Sequence, residues 1–132
     1  MAEKTIDIAS PILSRNERLA DQLRQRFKET NTYVINVLSS PGSGKTTTIL
    51  GTNERLRDKA GLHCAVIEGD IASDVDAITM KEAGMPAIQI NTGGLCHLEG
   101  NMIMEAVDAF DQAVGLENID VIFIENVGNL VC

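Results

Sequence analysis

YVINVLSSPGSGKTTTIL, residues 33–50, consists of a short apolar run, a turn bearing Gly42 and Gly44, and Lys45 followed by three threonines. A loop that aims several backbone N–H groups at phosphate oxygens must turn tightly, and the two glycines give it that freedom without a Cβ clash. Lys45 is then placed to reach β- and γ-phosphates, and the Thr46 hydroxyl to bind Mg2+. The general pattern G-x-x-x-x-G-K-[ST] asks for glycine where Ser39 stands, so this turn forms with a Cβ at its entrance. The alternative is a glycine-rich turn beside a Lys-Thr pair with no ligand. The context favours phosphate binding, because a β-like run (Val34, Ile35, Val37, Leu38) leads into the turn and a helical pattern leaves it.

Downstream, residues 47–60 carry Ile49, Leu50 and Leu56 on one helical side and stop at Gly61. The start of that helix then faces the phosphates, where its unpaired N–H groups and dipole favour an anion. Residues 64–68 read as a second strand, 73–83 as a helix stopped by Gly84, and 87–90 as a third strand. Met102, Ile103, Ala106, Val107 and Phe110 mark a further helix, closed by Gly115. The last strand, 121–124, is an uninterrupted apolar run of the kind buried on both faces of a parallel sheet. Upstream, Leu19, Leu23 and Phe27 form one stripe of an amphipathic helix that reads as a cover on the domain or on a partner. The alternation of strands and helices predicts an α/β fold, a mainly parallel β-sheet with helices on both faces. Ligands of such sheets sit at the carboxyl ends of the strands, so residues 39–44, 69–76, 91–97 and 125–128 should gather on one edge.

With 132 residues, one core is expected, burying roughly two-thirds of the unfolded surface. A net charge of −8 argues against a nucleic-acid surface, and 3% aromatic content with no Trp leaves little for base stacking. Free nucleotide needs only local positive potential. There is no run of about 18 apolar residues and no secretory h-region, so no membrane partner is expected and a cytoplasmic protein is. Three cysteines without a regular framework fit a reducing compartment.

Several residues on the expected edge carry candidate chemistry. Asp70 lies just beyond the second strand, where a carboxylate can hold Mg2+ or orient an attacking water. Asp76 can do the same, but Ser73 with Asp76 three residues on also imitates a capping box, and the two readings weigh equally. Glu125 ends the run VIFI and Gly128 follows three residues later, an arrangement in which the acid assists Mg2+ and the glycine N–H faces the γ-phosphate. Cys96 and His97 are adjacent and precede a helix. Thiolate and imidazole suit Zn2+ or Ni2+, Cys132 offers a third ligand, and a two-fold dimer would double the set. Without a C-x-x-C spacing, however, these residues alone favour a half-buried cysteine beside a solvent-facing histidine. Cys64 reads as a small core residue and His63 as a strand entrance.

Taken in order, VLSSPGSGKTT, VIEGDIASDVDA, INTGGLCHLEG and FIENVGNLVC closely resemble the HypB family, nickel-insertion GTPases of hydrogenase maturation related to the urease accessory GTPase. The resemblance covers nearly the whole chain, including I-L-S-x-N at 12–16. CHLE and ENVGNLVC are its most specific parts. It implies a P-loop NTPase, with an N-terminal helix over 1–31 and the N-terminal portion of a GTPase domain over 32–132. It implies that Gly42, Ser43, Gly44, Lys45, Thr46 and Thr47 hold GTP phosphates, that Asp70 and Asp76 act with Mg2+ and the attacking water, and that Thr46 and Asp70 bind the magnesium. Glu125 would belong to the third GTPase motif. Cys96, His97 and Cys132 would form a nickel or zinc site at the interface of a nucleotide-dependent homodimer, which reverses the preference drawn from those residues alone. The implied partners are hydrogenase maturation proteins and the hydrogenase large subunit.

Two departures stand out. Leu95 occupies a position where the family often has glycine, and these residues contain no N-K-x-D motif to read guanine, so the domain is expected to be incomplete. An incomplete sheet exposes an edge or a helix face, from which weak stability or non-native association follows. Two other function classes stay open. One is a metal- or phosphate-binding module without turnover. The other is a small-molecule kinase, which shares the generic phosphate loop but has no use for the Cys-His pair.

Overall fold

The computed structural model describes residues 9–37, 45–69, 74–90 and 100–125, with side chains described over 17–37, 47–69, 78–90 and 100–125. The elements run α1 (Ala9–Thr30), β1 (Tyr33–Val37), α2 (Lys45–Ala60), β2 (Cys64–Glu68), α3 (Asp74–Glu82), β3 (Ala87–Gln89), α4 (Gly100–Ala113), a 3-10 turn (Leu116–Asn118) and β4 (Val121–Glu125). The four strands form one sheet in the order β1-β4-β2-β3, every pair parallel. The sequence reading of alternating strands and helices therefore holds, with boundaries moved by one to a few residues and α1 starting earlier.

Residues alternate between the two faces of each strand. Ala65, Ile67, Ile122 and Ile124 point to one face and pack with Leu23 of α1 and with Ala106, Val107 and Phe110 of α4. Cys64, Val66, Val121 and Phe123 point to the other and pack with Ile49 of α2 and Met80 of α3. The first four residues of β4 and all of β2 are buried, as central strands covered on both faces must be. β1 reads just as apolar yet forms one edge of the described sheet, with Tyr33 74% and Ile35 43% exposed.

The predicted stops at Gly61, Gly84 and Gly115 all have positive φ. At Gly84 a side chain would be strained by φ +78 and would also meet the Arg57 guanidinium, which donates to the Gly84 carbonyl at 3.3 Å. No helix among the described residues is long and apolar enough to cross a membrane.

α1 is held on α4 by charge as well as by its apolar stripe. Arg26 bridges Asp108 and Asp111 of α4, reaching Asp111 at 3.3 Å. Asp111 also accepts the Leu116 N–H at 2.9 Å, which ties the end of α4 to the 3-10 turn. That backbone hydrogen bond, and then Arg26, hold the Asp111 carboxyl below its ordinary value of 3.8. A carboxyl whose pKa is lowered by folding contributes stability above its unfolded pKa and loses it as pH falls through the folded value. Asp111→Asn is therefore expected to give a shallower loss of stability below about pH 4 than the parent chain, as measured by urea midpoints across that range. Identical acid limbs would show that the Asp111 contacts contribute nothing in solution.

Candidate functional site

The chain leaves the carboxyl end of β1 at Val37 and returns at Lys45, the first residue of α2. Lys45, Thr46 and Thr47 thus occupy the first turn of α2, on the sheet face where Ile49 packs. That turn contains no acidic residue, while Arg57 and Lys59 stand in the last turn. The positive end of the helix dipole is left for an anion, and the negative end is met by cations. Thr47 is exposed and lies at one end of a groove of about 630 Å³ between α2 and α3, lined further on by Asn53 and Thr79.

Glu125 is the last residue of β4. It pairs in register with Val37 of β1 on one side and Glu68 of β2 on the other, and Glu68 pairs with Gln89 of β3. One row, Val37, Glu125, Glu68, Gln89, therefore crosses the carboxyl edge of the sheet. Glu125 and Glu68 stand two residues beyond Phe123 and Val66 and so share their face, the face covered by α2 and α3. The Gly69 N–H donates to the Glu125 carbonyl at 3.0 Å, so the chain entering Asp70 departs beside Glu125. The Ile90 N–H donates to the Glu68 carbonyl at 2.7 Å, so the segment carrying Cys96 and His97 departs from the same edge, one strand further on. That segment returns at Gly100, where α4 begins against Leu19 of α1. Asp76 lies in the first turn of α3.

Of the predicted site residues, Lys45, Thr46, Thr47, Asp76 and Glu125 have backbone positions on this edge or in the first turns of the helices that leave it. Gly42, Ser43, Gly44, Asp70, Cys96, His97, Gly128 and Cys132 lie outside the described residues, as does Ser73, the other half of the capping reading of Asp76. No group of three metal-ligating side chains occurs among the described residues. His63 and Cys64 are at the opposite end of β2, away from the site. His63 donates its N–H to Asp120 at 2.8 Å, and burial pushes the Cys64 thiol up to about 11, which keeps it protonated.

In the sequence Glu68 reads only as the end of the second strand. The available signal was a charged residue closing the buried run CAVI two residues before Asp70.

Residues 33–132 match the nucleotide-binding domain family described as CobW/HypB/UreG. The chain belongs to the CobW/HypB/UreG family. Within that family it is 44% identical over 130 residues to the hydrogenase/urease maturation factor HypB of Helicobacter hepaticus, covering 98% of this chain and 52% of the relative. The crystal structure of HypB from Helicobacter pylori in complex with nickel superposes with a TM-score of 0.75 at 40% identity, covering 88% of this chain and 52% of that one. HypB from Archaeoglobus fulgidus gives a TM-score of 0.76 at 34% identity, covering 90% and 55%. The chain spans about half the length of these CobW/HypB/UreG relatives. The matched segment begins at Tyr33, the first residue of β1, and the parallel sheet with helices on both faces is the P-loop NTPase arrangement expected of the family.

Proposed function

We propose that this chain binds GTP with Mg2+, hydrolyses it, and couples that cycle to nickel delivery during [NiFe]-hydrogenase maturation. The observation that carries the reading is the shared carboxyl edge. Glu125 and the chain ends leading to Asp70 and to the Cys96–His97 segment lie along one row of one parallel sheet, and α2 is the helix that follows the strand at the end of that row. Support for the maturation role and the cargo comes from relatives named as hydrogenase maturation factors and from the nickel in the H. pylori structure.

In this reading Lys45 and the first-turn N–H groups of α2 bind the β- and γ-phosphates, with Gly42, Ser43, Gly44 and Thr47 completing the cradle. Thr46 and Asp70 are hard oxygen donors that would hold Mg2+, and Glu125 would assist them. Mg2+, if held there, would supply positive charge that offsets the charge developing on the phosphates. Asp70 and Asp76 orient the attacking water, and the Gly128 N–H faces the γ-phosphate. Cys96, His97 and Cys132 supply thiolate and imidazole donors for Ni2+ or Zn2+, and a nucleotide-dependent homodimer would bring two such sets together. Hydrogenase maturation proteins and the hydrogenase large subunit are the corresponding partners.

Coupling of this kind requires that nucleotide and metal each bind two states with different affinity, and the effect must be reciprocal. Nickel affinity is expected to change by about 5- to 150-fold when a non-hydrolysable GTP analogue is present, as read by titration calorimetry. Equal affinities with and without the analogue would remove the switch.

A further inference from the structure

Asn53 lines the groove between α2 and α3 and is only 4% exposed, four residues beyond Ile49 on the same sheet-facing stripe of α2. Buried polar side chains are ordinarily hydrogen-bonded. Thr32, buried to a similar degree, donates its hydroxyl to the Ile119 carbonyl at 3.0 Å. The Asn53 carboxamide has two N–H donors and an acceptor oxygen, yet among the described residues its side chain makes no hydrogen bond. Leaving such a group unpaired is unfavourable, and a guest that both donates and accepts would satisfy it.

The rim adds charge. Glu54 and Asp58 line the groove four residues apart on α2, and both are exposed. Like charges at this spacing repel, and a cation between them removes the repulsion. Among the described residues neither forms an ion pair, because the one cation lining the groove, Arg57, donates to the Gly84 carbonyl at 3.3 Å. The groove encloses about 630 Å³, within the range of ordinary ligand clefts. From Thr47 to Asp58 it follows α2 for about 16 Å at the helical rise, the length of about five extended residues. A main-chain amide carries the donor and acceptor that Asn53 lacks. We propose that the α2–α3 groove binds an extended basic peptide segment of a partner protein, with a main-chain amide on Asn53 and a lysine or arginine head between Glu54 and Asp58. A net charge of −8 favours the approach of such a segment. The proposal requires neither nucleotide nor metal, and so goes beyond the cycle proposed above.

The test titrates the isotope-labelled chain with N-acetylated, C-amidated tetralysine and follows the Asn53 side-chain amide resonances by NMR, with tetraserine of the same form as control. Tetralysine is expected to shift them and to bind at least about tenfold more tightly than tetraserine. Glu54→Gln combined with Asp58→Asn should weaken tetralysine binding by about tenfold. Glu17→Gln combined with Glu29→Gln makes the same change of charge at exposed positions of α1, on the other face of the sheet, and should leave the affinity within about twofold of the parent's. Asn53→Leu should also weaken binding by about tenfold while the unfolding temperature holds or rises, since no hydrogen bond is lost. Equal losses in the two charge variants would mean attraction by net charge alone and overturn the proposal. So would Asn53 resonances that do not move, or an Asn53→Leu chain that is less stable but binds as the parent does. The charge variants change only exposed positions, so they decide the matter even where Asn53→Leu does not fold.

Discussion

Lys45→Ala is expected to lower Mg2+-dependent phosphate release from GTP by roughly 100- to 1,000-fold, the usual cost of deleting one group that stabilises developing charge in a water-excluded site. Lys45 is the first residue of α2, a helix end whose first-turn N–H groups and positive dipole favour an anion. No acidic residue in that turn offsets them. Alanine is the best helix former, so the substitution should leave the helix intact and change stability by no more than about 0.5 kcal/mol. Phosphate release and thermal unfolding, measured on the same preparations, separate a lost contact from a lost fold. Lys45→Arg should recover only part of the rate, because a planar fork does not replace a compact charge on a flexible stem. Release equal to the parent's would mean that Lys45 has no part in phosphate chemistry. Steady release by the parent well above the Lys45→Ala background would in turn exclude a module without turnover.

The largest expected effect on stability comes from the other side of the sheet. Phe110→Ala should cost about 3–5 kcal/mol, against a total near 5–15 kcal/mol for a domain of ordinary stability. Phe110 is 2% exposed and belongs to the cluster that contains Leu23 of α1, Val107 of α4, Leu116 of the 3-10 turn, Ile119 just after it, and Ile122 of β4. Among the described residues, this cluster is the one that joins α1 to the sheet. Removing the ring therefore loosens this cluster and leaves a cavity that helices on a rigid sheet close only in part. Urea unfolding is the measurement, with the midpoint falling and the slope unchanged if the native state stays compact. A loss below about 1 kcal/mol would show that α1 and α4 collapse into the space, and that the cluster is softer than its burial implies.

These two experiments address parts of the molecule that were legible in the sequence to different degrees. Gly42, Gly44 and the lysine after them are local signals, carried by residue type at fixed spacing, and the helix expected from Thr47 starts two residues earlier, at Lys45. The apolar period through Val107 and Phe110 is equally local, and it identified the buried face of α4 correctly. What it did not identify was the partner. Arg26 lies 82 residues from Asp108, and nothing in the periodicity of α1 singles it out from Arg18 or Arg24. The candidate metal ligands and most of the phosphate loop lie outside the described residues, so their chemistry still rests on residue type and on family membership.

Element type and order were determined by the sequence alone, because helix period, strand runs and glycine stops are consequences of backbone sterics acting over a few residues. The order β1-β4-β2-β3 was decided only in three dimensions. YVINV and VIFIE are alike as strings, yet one forms an edge with Tyr33 exposed and the other fills the centre, since pairing depends on which faces other segments cover. The same step set Glu125 beside Glu68 and Glu68 beside Gln89. Register is a relation between strands, and no one strand contains it.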